Sequence, residues 1–414
     1  MTQHEDRTLL DLAARAASRS FGLAAPHHLV GTVLTRPGPE PALQRVLAIG
    51  HHRRFGGPHA EPDAFNAART ARRDVRGATM HVTLEPCNHT GKQPPCVDAI
   101  IAAGIARVVI AQRDPNPIAA GGAVRLRAAG VAVEFSSAST NALALSAPFL
   151  HRLATPLPWV IAKWAQTIDG RIATAAGDSQ WISGPRARRR VHRLRAGVDA
   201  IITGTGTLIA DDPRLTARDV PLRKAALRVL VDRDLKGCKA HLAAPRKLFA
   251  EAGTMVFASR AAIDTDAELV AQMTRAGARI VCGSQMDTPL LPGESPDDPW
   301  TDHSLAREYL RGMLPGGSPD PSSQVCLRTI LFLLRTQFNV STAMLEAGPR
   351  LVSAFLWQRL VNECLIFVAP LLIGDAAPPG PARGSRWPSL AAVRRWNLID
   401  HRRIGDDIQL RYTL

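Results

Sequence analysis

His59-Ala60-Glu61 precedes Pro86-Cys87 and then Cys96. An imidazole, a carboxylate two residues on, and two thiols a strand and a turn further along suit a catalytic zinc site, which limits the fold more than any other feature of the chain. Zinc takes nitrogen and sulfur ligands tetrahedrally, and catalytic sites use three protein ligands and keep the fourth position for water. His59, Cys87 and Cys96 supply three ligands. Glu61 is left to move protons, as the non-ligand Glu does in zinc deaminases of nucleobases. The two cysteines stand nine apart, not the three of the H-x-E…P-C-x-x-C signature. Zinc lowers the pKa of a bound water toward about 7. The expected chemistry is therefore hydrolytic loss of an exocyclic amine, with Glu61 taking the water proton and passing it to the ring nitrogen and the leaving ammonia. A closed zinc site that only braces the fold is the alternative, and it needs a fourth ligand, for which His89 is the nearest candidate.

Periodicity places these residues. Leu9, Leu10, Leu12 and Ala13 mark an amphipathic helix over 8–19, and 29–35, 79–84 and 107–112 read as strands. Helices are predicted over 59–73, with Pro62 in the first turn, and over 96–103, stopped by Gly104. His59 and Cys96 thus open helices and Cys87 follows a strand, a strand–helix alternation that predicts an α/β layered domain over 1–150. Three prolines in 148–158 suggest a linker. The pattern then restarts over 151–414, with strands expected at 159–165, 199–204, 228–232, 254–258, 278–282, 342–346, 365–371 and 408–413. A helix is expected from Pro185 to Ala196 with Ser183 as its N-cap. The proline-rich 287–323 stretch reads as a surface insertion.

The net charge of +15 is spread along the 414 residues and not gathered into a tail, which argues against a nucleic-acid partner and suits phosphorylated ligands. A nucleic-acid-editing deaminase would want aromatic stacking platforms, and the chain has two tyrosines. Six cysteines, two of them assigned to metal, do not make a disulfide framework and fit a reducing cytoplasm. The N-terminus carries acids and no long apolar run, and Leu365 to Gly374 is too short to span a bilayer. A soluble, non-membrane protein is expected, with self-association left open.

In the second half the residues alone say less. The turn Gly204-Thr205-Gly206-Thr207 could meet a cofactor phosphate, and Ser179 and Trp181 could be loop packing. Arg188 and Arg195, seven apart on one helical face, fit either a solvated basic face or a phosphate clamp.

The segments PHAE, VTLEPCNHTGKQPPCVDAIIAAGIARVVIAQRDPNP, KWAQTIDGRIA, SQWISGPRARRRVHRLRAGVDAIITGTGTLIADDPRLTAR and LEAGPRL resemble the bifunctional riboflavin-biosynthesis deaminase/reductase family over nearly the whole chain. The resemblance implies a zinc cytidine-deaminase-like three-layer domain followed by a dihydrofolate-reductase-like α/β domain. It implies zinc on His59, Cys87 and Cys96 with Glu61 as proton carrier. It further implies NADPH at Ala165, Trp181, Thr207, Asp211 and the Gly348-Pro349-Arg350 segment. A phosphoribosylated pyrimidine would meet Ser179, Arg195, Leu215, Arg218 and Glu346. The activities implied are deamination of the pyrimidine and reduction of its ribosyl group. A slow or scaffold-only deaminase half beside an active reductase is the competing reading, motivated by His27 where the family has Asn. Three further departures are Glu346-Ala347-Gly348 for Glu-Gly-Gly, Val361-Asn362-Glu363 for Val-Asp-Glu, and Arg233, where a Ser is common, as a candidate contact to the cofactor 2′-phosphate.

Overall fold

The computed structural model describes residues 2–24, 28–91, 93–251, 253–283, 325–374, 380–382 and 395–413; His27 and the 287–323 stretch lie outside them. The chain divides into two compact units, Met1–Leu153 and Ala154–Leu414.

In the first unit, β1 (Gly31–Thr35), β2 (Val46–His51), β3 (Thr79–Val82), β4 (Arg107–Ile110) and β5 (Ala132–Phe135) form a sheet in the order β2-β1-β3-β4-β5. The β2-β1-β3 part is antiparallel and β3-β4-β5 is parallel. Successive strand side chains point to opposite faces, so the sheet is covered twice. Val108, Ile110, Met80 and Val82 share a core with side chains of α2 (Ala60–Thr70), α3 (Cys96–Ala102) and α4 (Gly122–Ala128). On the other face, Val109 and Ala111 meet Leu10 and Ala14 of α1 (Gln3–Ala17) and Ala142 of α5 (Thr140–Ala154). That is a three-layer arrangement. A capping box between Thr2 and Glu5 starts α1. One turn on, buried Asp6 bonds His81 Nε2 on β3 at 2.9 Å and Arg107 on β4 at 3.0 Å. Burial pushes the Asp6 carboxyl up, but the His81 and Arg107 hydrogen bonds outweigh it and hold it at about 2.

The expected linker is mostly helix. α5 passes through Pro148 and ends at Ala154, leaving 155–158 before the next strand. A proline forfeits one helical hydrogen bond, and here the buried Ala142, Ser146 and Phe149 keep the helix packed across it.

The second unit has a sheet in the order β10-β9-β8-β7-β11-β6-β12-β14-β13. Its first seven strands in that order are parallel: β10 (Arg279–Cys282), β9 (Thr254–Ala258), β8 (Leu227–Val231), β7 (Ala200–Gly204), β11 (Thr342–Leu345), β6 (Trp159–Thr167) and β12 (Glu363–Ala369). The hairpin of β13 (Asn397–Ile404) and β14 (Asp407–Thr413) is added antiparallel at the β12 edge. Near-continuous apolar strands such as Thr254–Ala258, buried at every position, are what a parallel sheet covered on both faces demands. Its core joins Val160, Ile202, Val229 and Phe257 to Ile330 and Leu334 of α11 (Leu327–Thr336) and Phe355 of α12 (Pro349–Trp357). Among the described residues no helix is long and apolar enough to cross a membrane.

The helix α6 (Pro185–Arg195) is capped by Gly184, not by Ser183. The carbonyl of Ser183 accepts from Arg188 Nη1, and Asp407 Oδ2 on β14 accepts from the Gly184 N–H at 2.8 Å. A carboxylate from a distant strand therefore holds the cap residue's own N–H, which is a different bond from the one to the first-turn N–H groups expected of Ser183.

Candidate active sites

His59 is the extended N-cap residue of α2, and Glu61 sits in the first helical turn, 3% exposed. Gly50 on β2 makes this possible: a Cβ there would lie 2.3 Å from the Ala60 carbonyl oxygen, so only glycine lets the helix start so close to the strand. Cys96 opens α3. Cys87 follows β3 through a loop whose Pro86 carbonyl would be 1.9 Å from a Cβ at Gly122. The loop is also fixed through Glu85, which accepts from the backbone N–H groups of Asp114 and Ala123.

Three sequence segments thus converge. Cys87 Sγ is 3.5 Å and Cys96 Sγ 3.3 Å from His59 Nδ1, and the three donor atoms all lie within 4.8 Å of one another. Tetrahedral zinc with bonds of about 2.3 Å to sulfur and 2.0–2.1 Å to nitrogen puts S and N about 3.6 Å apart, so the donor set fits the ion in type and spacing. The Cys96 N–H also donates to Cys87 Sγ at 3.4 Å. The Cys96 and then the His59 hydrogen bonds pull the Cys87 thiol down, while the same contact and burial push Cys96 up. Burial, then the nearby Cys87 charge, raises the Glu61 carboxyl above the ordinary range. Among the described residues this is the cluster able to hold a metal, and His89, the candidate fourth ligand, is not part of it.

The second unit holds a cavity of about 690 Å³. Ala165, Trp181, Thr207, Asp211 and Gly348, read above as cofactor contacts, line it, as do Ser179, Arg195, Leu215, Arg218 and Glu346, read as substrate contacts. Pro349 and Arg350 do not line it; they lie in the first turn of α12, behind the Gly348 cap. β7 ends at Gly204 and α7 (Thr205–Asp211) begins at once, so the predicted glycine turn is a strand-to-helix junction. Asp211 is raised by burial and accepts from Ser179 Oγ at 3.3 Å. Trp181 is 65% exposed, with the Arg188 guanidinium 4.5 Å above its ring. The loop after α7 holds Asp212 and Leu215 at positive φ (42° and 53°) while burying Leu215 to 2% exposure. Non-glycine residues enter that region at a cost of about 1–3 kcal/mol when the surroundings demand it.

Charge in the cavity is organised by Glu346 at the end of β11. Arg195 grips it with two hydrogen bonds, 2.6 and 3.0 Å, and Lys163 Nζ lies 3.4 Å away. Burial pushes Glu346 up, but the Arg195 and Lys163 cations more than offset it and hold the carboxyl at about 2. Arg195 is therefore committed to Glu346, which neither reading of the Arg188/Arg195 face anticipated. Lys163 and His192 also line the cavity and were not singled out in the sequence, although Lys163 stands within the KWAQTIDGRIA segment. Arg233 pairs with Asp234 at 2.9 and 3.1 Å and does not line the cavity.

Fold and site define a zinc-type nucleobase deaminase domain followed by a nicotinamide-dependent reductase domain. The family profile for the cytidine and deoxycytidylate deaminase zinc-binding region matches residues 3–112, and that for the RibD C-terminal domain matches 158–410. The riboflavin biosynthesis protein RibD of Escherichia coli is 32% identical, over 98% of this chain and 98% of its own. That of Mycobacterium tuberculosis is 33% identical, over 97% of this chain and 95% of its own. Among solved structures, Acinetobacter baumannii RibD superposes with TM-score 0.64 at 29% identity, covering 100% of this chain and 99% of that one. A diaminohydroxyphosphoribosylaminopyrimidine deaminase/5-amino-6-(5-phosphoribosylamino)uracil reductase from Thermotoga maritima gives 0.66 at 27%, covering 99% of each. The chain belongs to the RibD family, bifunctional deaminase/reductases of riboflavin biosynthesis. The scaffold-only and nucleic-acid-editing alternatives are not favoured by these relatives.

Proposed function

We propose that the first unit hydrolyses the amino group from 2,5-diamino-6-(5-phosphoribosylamino)pyrimidin-4-one at a zinc ion held by His59, Cys87 and Cys96. The second unit then reduces the ribosyl group of the product to ribityl with NADPH. The observation that carries the reading is the meeting of His59 Nδ1 and two thiol sulfurs within 4.8 Å, beside a buried Glu61. Zinc, when bound, supplies a Lewis acid that makes water a nucleophile near neutral pH. Glu61 would take one proton from that water and pass it to the ring nitrogen, then take the second from the hydroxyl added to the ring carbon and pass it to the amine, which leaves as ammonia as the carbonyl forms; its burial keeps it able to hold a proton in between.

In the reductase cavity, Arg218 and the outer edge of Arg195 hold the substrate phosphate, while Glu346 fixes Arg195 and Lys163 in place. Trp181, Thr207, Asp211, Ala165 and Gly348 hold the cofactor, with Ser179 and the Leu215 loop on the substrate. NADPH, when bound, supplies the hydride that adds at the ribosyl C1′ as the ring oxygen leaves that carbon and takes a proton.

The test gives purified protein each substrate in turn and follows ammonia release and NADPH oxidation separately. Glu61→Gln should lose about 10²–10⁴-fold in ammonia release, keep its zinc by metal analysis, and leave NADPH oxidation of the deaminated substrate unchanged. Full ammonia release by Glu61→Gln would refute the role given to that carboxylate.

A further inference from the structure

The loop after α7 is a strained piece of chain that brings Arg218 to the wall of the reductase cavity. Asp212, Leu215 and Asp219 all hold positive φ, at 42°, 53° and 57°. Such conformations persist where the surroundings over-determine them, and they gather at ligand clamps. Two anchors hold the near part of the loop. The Lys247 N–H donates to Asp212 Oδ1 at 2.8 Å, and the Leu215 side chain is buried. The far part is tied to α6. Arg195 Nη1 donates to the Thr216 carbonyl at 3.2 Å, and the Arg218 N–H donates to His192 Nδ1 at 3.3 Å. His192 and Arg195 stand three apart on one face of α6, and both line the cavity.

The chemistry of this acceptor suits a phosphate subsite. A backbone N–H can donate only to a bare ring nitrogen, so the bond assigns the proton of the neutral imidazole to Nε2. Burial, then the neighbouring Arg195 and Arg218 cations, hold His192 below its ordinary value against the Thr216 carbonyl and Glu346, so the ring is neutral near pH 7. Arg218 keeps its own charge for a ligand. Among the described residues its guanidinium bonds the Thr216 hydroxyl at 3.2 Å and pairs with no carboxylate. A carboxylate at position 192 could accept the same N–H, but it would also neutralise the arginines beside it. A neutral acceptor fixes the backbone of Arg218 and leaves the guanidinium to a phosphate, which arginine binds in a fork.

We propose that His192 is a positioning residue of the reductase: by accepting the Arg218 N–H it sets the Arg218 guanidinium where the substrate phosphate meets it. The inference rests on the reading of Arg218 as a phosphate contact, so that reading is tested beside it. The full chain is assayed by NADPH oxidation with the deaminated phosphoribosyl substrate and with the same compound lacking its phosphate. Arg218→Ala raises KM for the phosphorylated substrate by about tenfold or more and leaves kcat/KM for the dephosphorylated one unchanged. His192→Leu raises the same KM about two- to tenfold, the worth of one hydrogen bond, with a smaller effect on kcat and none on the dephosphorylated substrate. His192→Asn, whose Oδ1 stands as many bonds from Cα as Nδ1 does, restores most of that loss. The double variant Arg218→Ala/His192→Leu binds no worse than Arg218→Ala, because His192 acts through Arg218. In the wild type, histidine ¹⁵N NMR at neutral pH finds His192 Nδ1 without a proton, a reading independent of how any variant folds. If Arg218→Ala discriminates between the two substrates but His192→Leu does not, the positioning role is wrong and the phosphate contact stands. If Arg218→Ala itself fails to discriminate, the phosphate contact is wrong and the positioning role goes with it. A His192→Leu loss shared equally by both substrates, additive losses in the double variant, an Asn variant as weak as the Leu one, or a protonated Nδ1 would each overturn the role given to His192.

Discussion

Glu346 has to satisfy two cations at once. Its carboxylate is buried with Arg195 on both oxygens and Lys163 on one. Removing one partner of such a group strands the others, which typically costs about 3–5 kcal/mol. Glu346→Gln should therefore lower stability by that order in urea unfolding at neutral pH and raise KM for the phosphoribosyl substrate, with a smaller effect on NADPH binding. The pH dependence follows from the direction of the shift. A folded carboxyl held at about 2, below its ordinary 4.5, contributes its full stability above 4.5 and loses it as pH falls toward 2. The stability gap between wild type and Glu346→Gln should accordingly be constant from neutrality to about pH 5 and close below it; a gap that widens on acidification would contradict the assignment. Arg195→Lys keeps the charge but not the fork, and should raise the substrate KM without restoring wild-type stability.

Two close backbone approaches hold the side chains of the candidate metal site. Gly50 admits the start of α2 against β2, and Gly122 admits α4 against the Pro86 carbonyl just before Cys87. A methyl at either position must push backbone, not a flexible side chain. Gly50→Ala and Gly122→Ala should each destabilise by about 1–3 kcal/mol and weaken zinc binding, measured by competition with a chromogenic chelator. Gly77→Ala, where a Cβ meets nothing but φ is 71°, should cost stability without changing zinc affinity. These constraints explain what the sequence could reveal. The convergence of His59, Cys87 and Cys96 was legible because a ligand set is written in residue types and short spacings. Most parallel strands were legible because burial on both faces leaves an uninterrupted apolar run. β2, β5 and β13 were not: each lies at a sheet edge, and β13 reads NLIDHRRI, with most of its residues exposed. The grip of Glu346 on Lys163 was invisible for another reason. The partners are 183 residues apart, and no local pattern encodes a contact made only when β6 and β11 pair. The same holds for the bond from Asp407 to Gly184 at the start of α6, drawn from 223 residues away.

Each of the two units carries its own core, and the two chemistries draw on different side chains in different units. Exhaustive chelation should therefore abolish ammonia release and leave NADPH oxidation of the deaminated substrate intact, with zinc readdition restoring the first; parallel loss of both would show that the reductase depends on the metal. The opening helix has a practical corollary. Its Asp6 clasps His81 in the middle strand and Arg107 in the next, and its cap is completed by Thr2. A bulky fusion or sequence change that displaces this helix would loosen the clasp that steadies β3, the strand leading to Cys87. Engineers of this enzyme would do better to attach their cargo elsewhere.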